Sequence, residues 1–134
     1  MLSKTILVVE DDTVARGAMA GLLKERGYQA MTAGNGKEAL TSLEAGARPD
    51  LILLDLWMPG GDGWEFRERQ RLDKRLASIP VIILSSVADA AEWADALGDV
   101  GYLRKPINPE TLFVAIERFA FGRGAKTGSD GSIP

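Results

Sequence analysis

The chain has no cysteine and no histidine among its 134 residues. The first absence excludes disulfides and thiolate metal sites. The second excludes histidine-ligated zinc, a Ser-His-Asp triad and any phosphohistidine on this chain. An excess of positive charge is missing too: the formal net charge is −3, and no stretch concentrates Lys and Arg as a protein gripping nucleic-acid phosphates would. Nucleic acid is therefore not an expected partner. No apolar run approaches the roughly 20 residues needed to cross a bilayer. Residues 1–4 are too short for the charged and apolar regions of a signal peptide. No membrane association is expected, and the cytoplasm is the default location.

What the sequence does hold is apolar material, 46% of its residues, enough for a real core in a length that fits one domain. Residues 4–9 (KTILVV) are a β-branched apolar run, expected as a strand buried on both faces. The period then changes. Val14, Ala15, Ala18, Met19, Leu22 and Leu23 recur at helical spacing, and Gly27 closes that helix from the C′ position. Residues 28–33 read as a second strand and residues 37–45 as a short helix stopped by Gly46 and Pro49. LILL at 51–54 is the strongest strand and runs into Asp55. Pro59, Gly60, Gly61 and Gly63 tighten the next loop, and a helix is expected over 64–76. VIIL at 81–84 gives a fourth strand, residues 89–97 an alanine-rich helix, and residues 101–103 a last strand. Asn108-Pro109-Glu110 reads as N-cap, first-turn proline and first-turn acid of a helix through Phe119.

Five strands alternating with five helices predict an α/β fold, a doubly wound parallel sheet with right-handed crossovers and helices on both faces. The domain is expected over residues 1–121, with the Gly/Ser-rich residues 122–134 as a disordered C-terminal tail.

Ligands of open α/β sheets bind outside the carboxyl ends of the strands. There the sequence puts Glu10-Asp11-Asp12 after the first strand, Asp55 at the end of the third, Ser85-Ser86 after the fourth and Arg104-Lys105-Pro106 after the fifth. Each has an ordinary explanation alone. Asp12 or Thr13 suits a helix cap, Asp55 a solvated loop acid, Ser85 a hydroxyl bonded to its own backbone, and Lys105 a surface lysine. Their gathering on one edge points to a site. Two ionised carboxylates about 5 Å apart repel by roughly 3 kcal/mol at an effective dielectric of about 20. Glu10, Asp11 and Asp55 bring three negative charges and Lys105 offsets one, so a hard divalent cation with oxygen ligands is expected. Magnesium suits few carboxylates plus waters and a phosphate oxygen better than calcium does. Such an ion would also neutralise a transferring phosphoryl group and align it with an attacking oxygen.

Four blocks in order, ILVVEDD, LILLDLWMPGGDG, PVIILSS and GYLRKP, resemble the response-regulator receiver family of two-component signalling over about residues 4–119. The resemblance implies the flavodoxin-like strand order 2-1-3-4-5. It implies Asp55 as phosphoacceptor, Asp11 as a direct metal ligand, Glu10 as an acid acting mostly through water, and the backbone carbonyl of Trp57 as a further ligand to Mg2+. Ser85 matches the hydroxyl that bonds one phosphoryl oxygen, Lys105 the lysine that pairs with another, and Lys105-Pro106 a cis peptide. Tyr102 matches the aromatic that turns inward when the hydroxyl residue moves. The implied activity is phosphoryl transfer to Asp55 from a histidine kinase or phosphotransfer protein, with slow self-dephosphorylation; beyond this chemistry on itself the chain is not an enzyme. The added charge would shift a population between two states of the face around the fourth helix, last strand and last helix. That face would bind a downstream protein of unknown identity, and a phosphorylation-dependent homodimer through the last helix is compatible with it.

The main alternative is a pseudo-receiver, the same fold acting as a constitutive protein-interaction module without phosphorylation. The presence together of Glu10, Asp11, Asp55, Ser85 and Lys105 disfavours it. A flavodoxin-type FMN carrier needs a phosphate-cradling loop after the first strand, where this chain has acids. Two departures from the family pattern stand out. The segment between Ser85 and Lys105 is slightly short, so a short or loose fourth helix is expected, with Trp93 either in the core or, the preferred reading, on partner-facing surface. Trp57 and Val87 flank the phosphoryl position where many members carry polar residues, along the line by which water approaches. In a phosphoprotein-lifetime measurement, Trp57→Asn combined with Val87→Glu is expected to shorten the lifetime; an unchanged lifetime contradicts shielding by these side chains.

Overall fold

The computed structural model describes residues 4–58, 62–86, 98 and 100–121. Five strands form one sheet: β1 (Thr5–Val9), β2 (Gln29–Ala33), β3 (Leu51–Asp55), β4 (Val81–Ser85) and β5 (Gly101–Arg104). Their order is β2-β1-β3-β4-β5 and every neighbouring pair is parallel, as expected of a doubly wound sheet. The described helices are α1 (Thr13–Glu25), α2 (Gly36–Glu44), α3 (Asp62–Leu72) and α4 (Pro109–Ile116). The helix expected over 89–97, with Trp93, and the tail 122–134 lie outside the described residues.

Strand side chains alternate between the two faces, and the core divides accordingly. Leu7, Val9, Ile52, Leu54 and Ile83 pack with Leu43 of α2 and Phe66 of α3. Ile6, Val8, Leu51, Leu53 and Ile82 pack on the other face with Leu23 of α1 and Leu112, Phe113 and Ile116 of α4. Each fully buried Leu or Ile contributes roughly 1.5–3 kcal/mol over leaving it exposed. A few such residues therefore outweigh the repulsion between acids held at the sheet edge.

Helix ends follow the capping chemistry in the sequence. Asp12 Oδ1 accepts from the N–H groups of Val14 (2.9 Å) and Ala15 (3.3 Å). Asn108 Oδ1 accepts from Thr111 N–H (3.1 Å), with Pro109 opening α4. Gly27, at φ 94°, takes the left-handed conformation after α1 that glycine adopts without strain.

Three elements differ from the periodicity. In α1 the packing is carried by Met19, Ala20, Leu22 and Leu23, whereas Val14 is 79% exposed and Ala15 and Ala18 face solvent. Apolar spacing marks a face, and the sheet covers only the later part of it. The third helix starts at Asp62 and stops at Leu72 rather than running to Leu76. The fully buried Gln70 amide ends it, donating to the carbonyls of Leu76 (2.9 Å) and Ile79 (3.0 Å) and fixing the following turn. The last helix is regular to Ile116 and continues as a π-helical turn, Glu117–Phe121. A Cβ at Gly101 would lie 2.6 Å from the Phe119 ring, so the absent side chain lets this ring sit on β5. Among the described residues no helix is long and apolar enough to cross a membrane.

Candidate functional site

Parallel strands deliver their carboxyl ends to one edge, and the register there brings the polar residues together. Asp55 ends β3 opposite Leu84, and Ser85 ends β4 opposite Arg104, one residue before Lys105. Glu10 follows β1 directly, its N–H donating to Ala33 O at 3.1 Å. Glu10 and Asp55 are only 5% and 4% exposed, Ser85 is buried, and Asp11 faces solvent. Carboxylate oxygens of Glu10, Asp11 and Asp55 lie within 4.8 Å of one another.

Among the described residues, Lys105 is the cation paired with this charge. Lys105 Nζ donates to Glu10 Oε1 at 3.1 Å and stands 3.5 Å from Asp55 Oδ2. Its own N–H is tied to Ser85 O at 2.8 Å, and the Lys105-Pro106 peptide is cis. Backbone donors complete the shell: Asp12 N–H reaches Glu10 Oε2 (3.2 Å) and Trp57 N–H reaches Asp55 Oδ1 (3.2 Å). A close helix start holds the acceptor strand in place. A Cβ at Gly63 would meet Leu56 O at 2.6 Å and Asp55 O at 2.7 Å, so glycine alone lets α3 begin against that backbone.

The protonation equilibria follow this geometry. Burial pushes the Asp55 carboxyl up, Lys105 pulls it down and the Glu10 charge pushes it up again, leaving it at about 6. Burial also pushes Glu10 up, but the Asp12 N–H and the Lys105 ammonium outweigh it and hold that carboxyl below its ordinary value. For Lys105, burial favours the neutral amine, while attraction to Asp55 and Glu10 outweighs it and keeps the group charged to higher pH than usual. Three hard oxygen donors within 4.8 Å of one another, two of them on one lysine and Asp11 open to solvent, fit a small divalent cation.

Trp57 is 45% exposed at the rim and meets Trp64 of α3 edge to face, ring centroids 6.2 Å apart. Tyr102 on β5 is half-buried against the core face that holds Phe66. Val87 lies outside the described residues. All seven residues expected at the site, Glu10, Asp11, Asp55, Trp57 through its carbonyl, Ser85, Tyr102 and Lys105, lie on β1, β3, β4 and β5 or within two residues of them. The sequence marked Gly63 as a loop-tightening residue but not its close approach to the Asp55 and Leu56 carbonyls, and it missed Arg16, whose Nη1 donates to Glu10 O at 2.8 Å. No residue pattern announces these contacts, because both depend on loop paths.

A parallel 2-1-3-4-5 sheet with an acidic cluster and a lysine on its carboxyl edge is the architecture of a signalling receiver domain. The chain belongs to the response regulator receiver domain family, whose sequence profile matches residues 6–117. It is similar to Protein PilH of Pseudomonas aeruginosa, 30% identical over 87% of this chain and 98% of that one. The crystal structure of chemotaxis response regulator CheY4 of Vibrio cholerae superposes with a TM-score of 0.79 at 32% identity, covering 88% of this chain and 99% of CheY4. Other relatives are longer. The phosphate regulon regulator PhoB of Pseudomonas aeruginosa is 33% identical over 87% of this chain, which spans 52% of PhoB.

The raised Asp55 value carries a sign. A buried acid that holds its proton more tightly in the folded state costs stability once ionised. The cost is absent below the ordinary value of 3.8 and complete above about 6, and it amounts to on the order of 3 kcal/mol. In urea unfolding with EDTA, Asp55→Asn is expected to stabilise the protein by on the order of 2–3 kcal/mol at pH 7.5, with the gain vanishing toward pH 4. A variant less stable than wild type at pH 7.5 contradicts this electrostatic picture.

Proposed function

We infer that this receiver domain is phosphorylated on Asp55 in a magnesium-dependent reaction and that the modification switches a protein-binding face. The observation that carries the reading is the convergence of the Glu10, Asp11 and Asp55 carboxylates within 4.8 Å, with Lys105 bridging Glu10 and Asp55. Asp11, Asp55 and the Trp57 carbonyl would hold the ion, with Glu10 acting mainly through water. Mg2+ would supply charge neutralisation for the phosphoryl oxygens.

The residues of the chain divide the remaining work. An ionised Asp55 oxygen attacks phosphorus, the P–N bond to the donor imidazole breaks, and its electron pair returns to the imidazole nitrogen, which takes a proton. The product on Asp55 is an acyl phosphate. With its carboxyl near 6, Asp55 is mostly ionised at neutral pH and ready to attack. Lys105 faces the charge that develops on one phosphoryl oxygen, and the Ser85 hydroxyl donates to another. Since the chain has no histidine, the phosphohistidine belongs to a histidine kinase or phosphotransfer protein. Ser85 and Tyr102 are the switch residues by which the phosphate alters the face beside β5 and α4, and a downstream protein or a second receiver reads that face. Such partners would put the domain in the cytoplasm.

Acetyl phosphate with MgCl2 tests this directly by intact-protein mass spectrometry. The wild type is expected to gain one phosphoryl group and Asp55→Asn none. Lys105→Ala is expected to label 10²–10³-fold more slowly, the usual cost of removing one stabilising donor. A wild type that stays unlabelled, or an Asp55→Asn variant labelled equally, supports the constitutive interaction module instead.

A further inference from the structure

Arg16, in the first turns of α1, takes no part in the chemistry inferred for Asp55, yet it reaches the loop that carries two of the three acids. Its half-buried guanidinium turns back toward the sheet edge. Nη1 donates to Glu10 O at 2.8 Å and lies 3.4 Å from Asp11 O. Both carbonyls precede the Asp12 cap, ahead of the helical bond from Arg16 N–H to Asp12 O at 2.8 Å. The contact thus fixes the very backbone from which the Glu10 and Asp11 side chains project.

The guanidinium is confined on its other side too. A Cβ at Gly34 would stand 3.3 Å from Arg16 Nη1 and 3.5 Å from Glu38 Oε1, and that carboxylate is itself held by Gly34 N–H at 2.7 Å. Glycine at 34 leaves the space Arg16 fills between the loop after β1 and the loop after β2.

We propose that Arg16 is a positioning residue that sets the divalent-cation affinity of the Glu10, Asp11 and Asp55 cluster by holding the two loop carbonyls. The proposal rests on the reading of that cluster as a magnesium site. Charge alone gives the opposite sign, because a guanidinium beside a cation site repels the cation and its removal tightens binding. Positioning gives weaker binding on removal, since losing a group that orients metal ligands generally costs 10–100-fold in affinity. The direction of the change separates the two.

The experiment titrates MgCl2 into the full chain, read by intrinsic tryptophan fluorescence, for wild type, Arg16→Ala and Arg16→Lys. Unfolding midpoints in urea with EDTA are measured alongside. Arg16→Ala is expected to raise the dissociation constant about tenfold or more. Arg16→Lys, which keeps the charge but loses the planar fork, is expected to weaken binding as well. Both variants are expected to keep the wild-type midpoint. Unchanged or tighter binding in Arg16→Ala overturns the proposal and leaves the Asp55 reading intact; should Arg16→Ala not fold, an unchanged dissociation constant in Arg16→Lys does the same. Weaker binding in parallel with a lost midpoint in both variants marks a merely structural role and overturns it equally. A wild type with no saturable response to Mg2+ removes the magnesium reading and this proposal together.

Discussion

A single ammonium group, on Lys105, stands between the buried carboxylates of Glu10 and Asp55, and the charge it leaves uncancelled shapes everything else at this edge of the sheet. Three acids and one lysine leave excess negative charge in a poorly solvated place. Burying such groups costs free energy unless hydrogen bonds and counter-charges answer them. Here the N–H groups of Asp12 and Trp57 answer in part, and the apolar strands beneath supply the stability that holds the acids in place. What remains unanswered is a local excess of negative charge, and the inferred affinity for a small cation and a phosphoryl group rests on it.

The same imbalance gives Asp55 its character. Burial alone would hold its proton to still higher pH, and a nearby cation offsets part of that. Lys105 and Glu10 pull its equilibrium in opposite directions, and burial tips the outcome to about 6. Ser85 and Lys105 are joined through the bond from Lys105 N–H to Ser85 O. A displacement of either is therefore felt by the other, and Tyr102, three residues before Lys105, lies on β5, the strand that leads into Lys105.

Much of this was legible in the sequence because it depends on where strands end. Short β-branched runs fixed the strand positions, and the polar residue after each run then fell on one edge by topology alone. Asp12, Asn108 and Gly27 were readable because capping chemistry is local. The rest depended on distant partners. Gln70 ends α3 by reaching carbonyls six and nine residues ahead, which no helical period records. Val14 fits the apolar spacing of α1 but lies where nothing among the described residues covers it. Arg16 and Gly63 matter through close approaches of backbone that only a folded loop creates.

The central claim is that the acids on this edge form a cation site whose charge balance governs Asp55. Carbon-13 NMR of the Asp55 side-chain carboxyl, titrated with pH in EDTA and again in saturating MgCl2, measures it most directly. The account expects a midpoint at about 6 without metal, falling below about 5 with it, as a nearby opposite charge lowers a carboxyl by 1–3 pH units. A midpoint that is the same in both solutions contradicts it.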